Sequence, residues 1–248
     1  MTKIWIIWWS GLDNPDILKD AEEIDIDTEY GKPSSALKIG KINGVDVVIL
    51  ARHGKEHTIP PTYVNYRANI SALKQIWCTH IIATTAVGSL REEIWRWDIV
   101  ILDQFIDFTR RRDVSFFDQF TPHMPVHTPM AWPFDENLRK SLWQAADNLW
   151  IKNHKSWTVI TIEWSRFSTK AESNMFRLWW ADVINMSIAP ECILANELWI
   201  PYATIAMSTD YDCRKDDETP VTWEWILEIF KQNVDKVIKM LLYTIPQI

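Results

Sequence analysis

Short apolar, β-branched runs alternate along this chain with longer segments of helical periodicity, and that alternation restricts it to an α/β architecture. Strands are expected at 4–9, 45–50, 80–84, 98–102, 158–162, 183–185 and 202–207. Most are apolar on both faces, so they read as central strands covered on both sides. Between them, residues 135–152 place Leu138, Leu142, Ala145, Ala146 and Leu149 at helical spacing behind Asp135, which suits an N-cap. A second helix is expected over 170–178, after Ser168 and Thr169, and Pro190 suits the first turn of a third. A last helix over 222–244 puts Ile226, Phe230, Val234, Val237 and Leu241 on one face. No repeat, low-complexity tract or Pro/Gly/Ser linker divides the sequence. Residues 1–248 therefore read as a single domain with a central mixed sheet flanked by helices.

With 26 basic and 33 acidic residues the net charge is -7, which repels nucleic-acid backbone and anionic membrane. The basic run 110–112 is followed by Asp113 and reads as a solvated loop. Cys78, Cys192 and Cys213 are too scattered for a metal cluster and odd in number for a disulfide framework, which points to a reducing, cytoplasmic setting. The apolar start at 4–9 is shorter than the ~7–15-residue core of a signal peptide and runs into Asp13 and Asp16. No segment approaches the ~18 apolar residues of a membrane span. Metal-ligand spacings and nicotinamide or flavin fingerprints are absent from the sequence.

In open α/β sheets, ligands collect at the carboxyl ends of strands. Five expected strand ends carry polar residues: Ser10-Gly11, Arg52-His53-Gly54, Thr84-Thr85-Ala86, Asn185-Met186-Ser187 and Ser208-Thr209-Asp210-Tyr211-Asp212. Together they nominate one site.

Several of these stretches resemble, in order, the 5'-methylthioadenosine phosphorylases of the purine nucleoside phosphorylase superfamily. The matching stretches are SGLDNP (10–15), YGKPS (30–34), ARHG (51–54), NYRANI (65–70), TTAVGSLR (84–91), DQFID (103–107), RFSTKAES (166–173) and IAMSTDYDC (205–213). The resemblance implies a nucleoside phosphorylase-like fold, homotrimers, and reversible reaction of methylthioadenosine with phosphate to give adenine and 5-methylthioribose 1-phosphate. Phosphate is then the co-substrate, and no cofactor is implied.

Breaking an N-glycosidic bond leaves positive charge on the ribose and negative charge on the departing base. The anionic nucleophile needs a cation, hydroxyls and N–H groups. The resemblance assigns Ser10, Arg52, His53, Thr85, Ala86 and Ser187 to it. The base needs an acid near N7, and burial readies an aspartate for that task. Asp210 takes this role by resemblance, with Asp212 orienting the base. Phe167 and Ser168 are assigned to the base, Asn185 and Met186 to the ribose, and His127 to the 5' pocket of a neighbouring subunit. His57 reads as structural. An aspartate at position 210 can accept from an exocyclic amine, which favours a 6-aminopurine over inosine, the alternative substrates being adenosine or inosine.

Six glycines are few where an average composition gives ~17, and sixteen tryptophans are many. Trp5, Trp8, Trp9, Trp77, Trp97, Trp150, Trp157, Trp164, Trp180 and Trp199 stand where the resemblance leads one to expect glycine. Restoring these positions to glycine gives an ordinary count. Trp8 and Trp9 are expected in the first phosphate loop, where a plug would leave a nucleoside-binding protein impaired in catalysis. Trp164 is expected to crowd the base, and Trp223 to replace a small residue near the substrate.

Overall fold

A computed structural model of the chain describes residues 2–8, 17–215 and 222–248, with the side chain of Trp223 left outside that description. The strands are β1 (Lys3–Trp8), β2 (Lys19–Ile24), β3 (Leu37–Ile42), β4 (Val45–Ala51), β5 (His80–Ser89), β6 (Ile99–Phe108), β7 (Asn153–Ile162), β8 (Val183–Asn185) and β9 (Tyr202–Asp210). The helices are α1 (Tyr66–Gln75), α2 (Glu136–Asn148), α3 (Lys170–Leu178), α4 (Ile188–Glu197) and α5 (Trp223–Thr244). Short 3-10 turns occupy Pro61–Tyr63 and Ile245–Gln247.

The strands form one mixed sheet in the order β2-β3-β4-β1-β5-β8-β7-β6-β9, and β9 also pairs with β5. That extra pairing closes β5, β8, β7, β6 and β9 into a ring, with β1 to β4 as an extension. β1 shows why both faces are covered. Ile4, Ile6 and Trp8 join the core built with Leu138 and Leu142 of α2 and Phe230 and Leu241 of α5. Trp5 and Ile7 point the other way, into a core shared with Ile70 and Leu73 of α1 and Leu194 of α4. A third apolar cluster joins Phe176 of α3 to Leu90, Ile160 and Ile184.

Each expected strand is present, and several run further than their apolar stretch. β5 continues through polar residues to Ser89, β6 to Phe108 and β9 to Asp210. Position 9, expected in the first strand, lies outside the described residues. Caps fix the helices: Asp135 accepts from the Leu138 N–H at 2.8 Å, and Thr169 with Glu172 forms a reciprocal capping box. β2, β3 and α1 go beyond the sequence reading. The residues of β2 are almost wholly exposed, so no apolar alternation marks it.

Four helices end in the same way, on a tryptophan in the left-handed region: Trp77 after α1 (φ 60), Trp150 after α2 (φ 56), Trp180 after α3 (φ 67) and Trp199 after α4 (φ 57). Each next residue donates back across the turn, Cys78 to Leu73 O at 3.1 Å, Ile151 to Ala146 O at 2.8 Å, Ala181 to Phe176 O at 3.0 Å and Ile200 to Ala195 O at 3.0 Å. This is the Schellman ending, whose usual residue is glycine because a Cβ costs roughly 1–2 kcal/mol there. The four indoles project into solvent. Trp97, at φ 68 just before β6, is a fifth such position among the ten.

Candidate active site

A cavity of about 750 Å³ opens where β5, β8 and β9 meet the segments at 53–61 and 162–167 and the start of α5. The register of β5 with β9 shifts between Val87 and Gly88, both of which line the cavity. The sequence reading placed Thr84-Thr85-Ala86 after a strand; they lie inside β5, and Thr85 and Ala86 reach the cavity from mid-strand. His53, Phe167, Asn185, Met186, Ser187, Asp210 and Asp212 also line it.

Arg52 stands behind this lining, fully buried. Its guanidinium forms a two-point pair with Glu191, through Nε to Oε1 and through Nη2 to Oε2 at 2.9 Å, and Nη1 donates to Thr84 O at 2.8 Å. Tyr202 OH donates to the same Glu191 at 2.9 Å. Burial opposes the charge on Arg52, and Glu191 more than compensates, holding the guanidinium pKa above its usual value. Three of its five N–H groups are used in these bonds, and the side chain does not itself line the cavity. Next to it, His53 Nδ1 bonds to Ile59 O at 2.8 Å, which makes Nδ1 the protonated nitrogen. Burial and the neighbouring Arg52 depress the His53 pKa to about 3, so the ring is neutral. The His57 ring lies 4.7 Å from it and also lines the cavity.

A hydroxyl and amide chain crosses the floor. Asn185 Nδ2 donates to Thr85 Oγ1 at 3.3 Å, Thr161 Oγ1 donates to Asn185 Oδ1 at 2.9 Å, and the Ala189 N–H donates to Thr161 Oγ1 at 3.1 Å. Ser187 occupies the N-cap position of α4 without using its hydroxyl as a cap. A helix start of this kind favours an anion.

Asp210, at the end of β9, is 7% exposed. Burial raises its carboxyl pKa against the lowering effect of two donors, Thr209 Oγ1 at 2.8 Å from Oδ2 and the Asp212 N–H at 2.8 Å from Oδ1. Asp212 itself sits at φ 51 in the turn that follows. Ile226 and Leu227, from the first turn of α5, supply an apolar face.

Other residues of the expected set lie elsewhere. Ser10 falls outside the described residues. Ser168 does not line the cavity; its carbonyl accepts from Cys213 Sγ at 3.4 Å, and its buried Oγ has no partner among the described residues. His127 is exposed on the segment between β6 and α2, its ring 5.9 Å from Phe120. Trp8 was expected in the phosphate loop; it ends β1 with its ring 6.4 Å from Phe230, in the core cluster that also holds the cavity-lining Ile226, and is not itself among the lining residues. Trp9 is outside the described residues. Trp164 does line the cavity, near Phe167.

The basic run at 110–112 corrects the reading of a solvated loop. The Arg112 side chain is fully buried and bonds to Glu163, Tyr66 OH, Ile162 O and Met186 O. Nothing in local sequence distinguishes it from Arg110 and Arg111, because its acceptors come from distant segments. Among the described residues, no group of three or more His, Cys, Asp or Glu side chains is arranged to hold a metal ion. Likewise, no described helix is long and apolar enough to cross a membrane.

The family model of the Phosphorylase superfamily matches residues 3–245. S-methyl-5'-thioadenosine phosphorylase of Xenopus tropicalis is 56% identical, the match covering 99% of this chain and 89% of that protein. The Danio rerio protein of the same name is 53% identical over the same shares. Methylthioadenosine phosphorylase from Schistosoma mansoni in complex with adenine superposes with a TM-score of 0.94 at 39% identity, covering 100% of this chain and 92% of that one. A variant of the Schistosoma mansoni adenosine/methylthioadenosine phosphorylase in complex with methylthioadenosine gives 0.92 at 38% identity, covering 100% and 91%. With a matching family model over nearly its whole length and relatives above half identity, the chain belongs to the S-methyl-5'-thioadenosine phosphorylase family of the Phosphorylase superfamily.

Proposed function

We propose that this chain catalyses the reversible phosphorolysis of 5'-methylthioadenosine to adenine and 5-methylthioribose 1-phosphate, a pentosyl transfer in purine and methionine salvage. The observation that carries the reading is the buried Asp210, with its raised pKa, lining the same cavity as Thr85 and Ser187, with Arg52 bonded to Thr84 O behind them.

Phosphate would lie against Thr85, Ala86, Ser187 and neutral His53, with the start of α4 supplying positive potential and Arg52 standing behind Thr84 and Thr85. Ser10 completes this set by resemblance. The base would rest against Phe167, while Ser168, expected beside it, stands outside the cavity lining. Asp210 donates its proton to purine N7 as the glycosidic bond lengthens, so the base leaves neutral, and Asp212 accepts from or orients the exocyclic amine. Ribose lies against Asn185 and Met186. Ile226 and Leu227 offer the 5' substituent an apolar surface, which suits a methylthio group and gives a hydroxyl no partner.

The reading extends to residues 1–248 as a single catalytic domain, a cytoplasmic location and a homotrimer in which His127 approaches a neighbour's 5' pocket. Support for the trimer is the exposed apolar stretch that carries His127, with Phe120, Met124 and Trp132 each more than half exposed. Phosphate serves as co-substrate with no cofactor. Adenosine is the second reading, favoured by the similar Schistosoma mansoni protein named adenosine/methylthioadenosine phosphorylase. A substrate panel separates them: kcat/KM should fall in the order methylthioadenosine, adenosine, inosine. Inosine as the best substrate would overturn the assignment of Asp210.

A further inference from the structure

We propose that Arg112 and Glu163 are positioning residues that lock the 61–62 segment against the ends of β7 and β8 in the nucleoside half of the cavity. The proposal rests on the reading that the cavity takes a nucleoside. Arg112 donates through Nη1 to Met186 O and, at 3.1 Å, to Tyr66 OH, and Tyr66 OH donates onward to Pro61 O at 2.9 Å. Through Nη2 it reaches Ile162 O at 3.3 Å, and through Nε and Nη2 it reaches Glu163 Oε1, both at 3.0 Å. Glu163 accepts in turn from Thr62 Oγ1 and from the Arg110 and Arg111 N–H groups at 3.0 and 3.1 Å.

The segments joined in this way are 61–62, 162–163 and 186. Each adjoins or contributes cavity-lining residues: Pro60 and Pro61, Trp164 and Ser165, Met186. The ends of β7 and β8 already pair through Thr161 and Asn185, so what the guanidinium and its carboxylate add is the tie of the 61–62 segment to both strand ends. The hub makes no hydrogen bond to Arg52, Thr85 or Ala86 and reaches His53 only through the charge of Arg112, so its direct ties are to the nucleoside side. A guanidinium suits the task because its planar fork serves several acceptors at fixed angles, which a lysine cannot reproduce.

The test uses the full chain with Arg112→Met, Arg112→Lys, Glu163→Gln and Thr62→Val. Expected is a rise of about tenfold or more in methylthioadenosine KM for Arg112→Met, a similar loss for Arg112→Lys, and a smaller one for Glu163→Gln, which keeps an acceptor. The phosphate KM should change less than about twofold to threefold. A merely structural role would lower the melting temperature while moving both KM values together or neither, and would overturn the proposal. If the Arg112 variants do not fold, Thr62→Val at a partly exposed position reads the same split, with a nucleoside KM about threefold higher and an unchanged phosphate KM. Wild-type chain that neither cleaves nor binds methylthioadenosine would sink the functional reading itself. Calorimetric titration of wild type and variants with methylthioadenosine alone reports the positioning role without turnover, and equal dissociation constants would refute it.

Discussion

The carboxylate of Asp210 occupies the space that a side chain at Gly88 would need. A Cβ at position 88 would stand 2.7 Å from Asp210 Oδ1, 3.0 Å from Ile184 Cγ2 and 3.3 Å from the Asp212 N–H nitrogen. Asp210 is held by Thr209 and Asp212, so it has little room to yield. Gly88→Ala should therefore displace the proton donor and cost about 1–3 kcal/mol of stability by overpacking. Activity should fall further than stability alone explains, by roughly 10²-fold in kcat, since a 1 Å misplacement is worth that much. Steady-state kinetics beside thermal melting would check it, and full activity in a folded variant would contradict the assigned geometry.

Asp210→Asn separates chemistry from folding. Burial raises the Asp210 pKa from its ordinary 3.8, so the folded chain holds this proton more tightly than the unfolded chain. The stabilising contribution of that proton is fully present below the ordinary value and disappears as pH rises through the folded value. Above that folded value the ionised carboxylate is a burden on the fold. Asp210→Asn should then match or exceed wild type in urea midpoint near pH 8, with the difference shrinking toward pH 4. Its kcat/KM should drop roughly 10²–10⁴-fold through loss of the general acid. A variant destabilised at alkaline pH would contradict the raised pKa.

The four helix ends give a stability prediction that does not depend on function. Trp77→Gly, Trp150→Gly, Trp180→Gly and Trp199→Gly each remove a Cβ from a left-handed residue and an exposed indole from solvent. The strain relieved exceeds the added entropy of an unfolded glycine, so each change should stabilise by about 1 kcal/mol. In a chain of this size that raises the melting temperature by roughly 2–4 °C, and the widely separated sites should add. Trp5→Gly is the contrasting case. Trp5 is fully buried in the core, and its replacement should leave a cavity and destabilise.

The sheet was legible wherever a strand is apolar on both faces, as in β1 and β9, because burial leaves a continuous signature. It was not legible in β2, whose edge position leaves Lys19, Asp20, Glu22 and Glu23 exposed and without a pattern. The site was nominated by polar residues at strand ends, and that signal led to the Asp210 turn and to the start of α4. The extent of β5 escaped it, since Thr84, Thr85 and Ala86 look like a loop until Ile205, Ala206 and Met207 of β9 supply their partners. Glu191 and Arg112 escaped it for the same reason: each acts through a residue more than 70 positions away. Glycine positions read from resemblance proved informative about backbone, because five of the nine described ones, all carrying tryptophan, adopt positive φ.

Phosphorus NMR of the purified chain with methylthioadenosine and inorganic phosphate tests the account most directly. The account predicts a sugar 1-phosphate resonance growing in step with adenine release, no adenine without phosphate, and neither product from Asp210→Asn on the same timescale. Adenine released at the same rate in the absence of phosphate, or an inert wild-type chain, would contradict it.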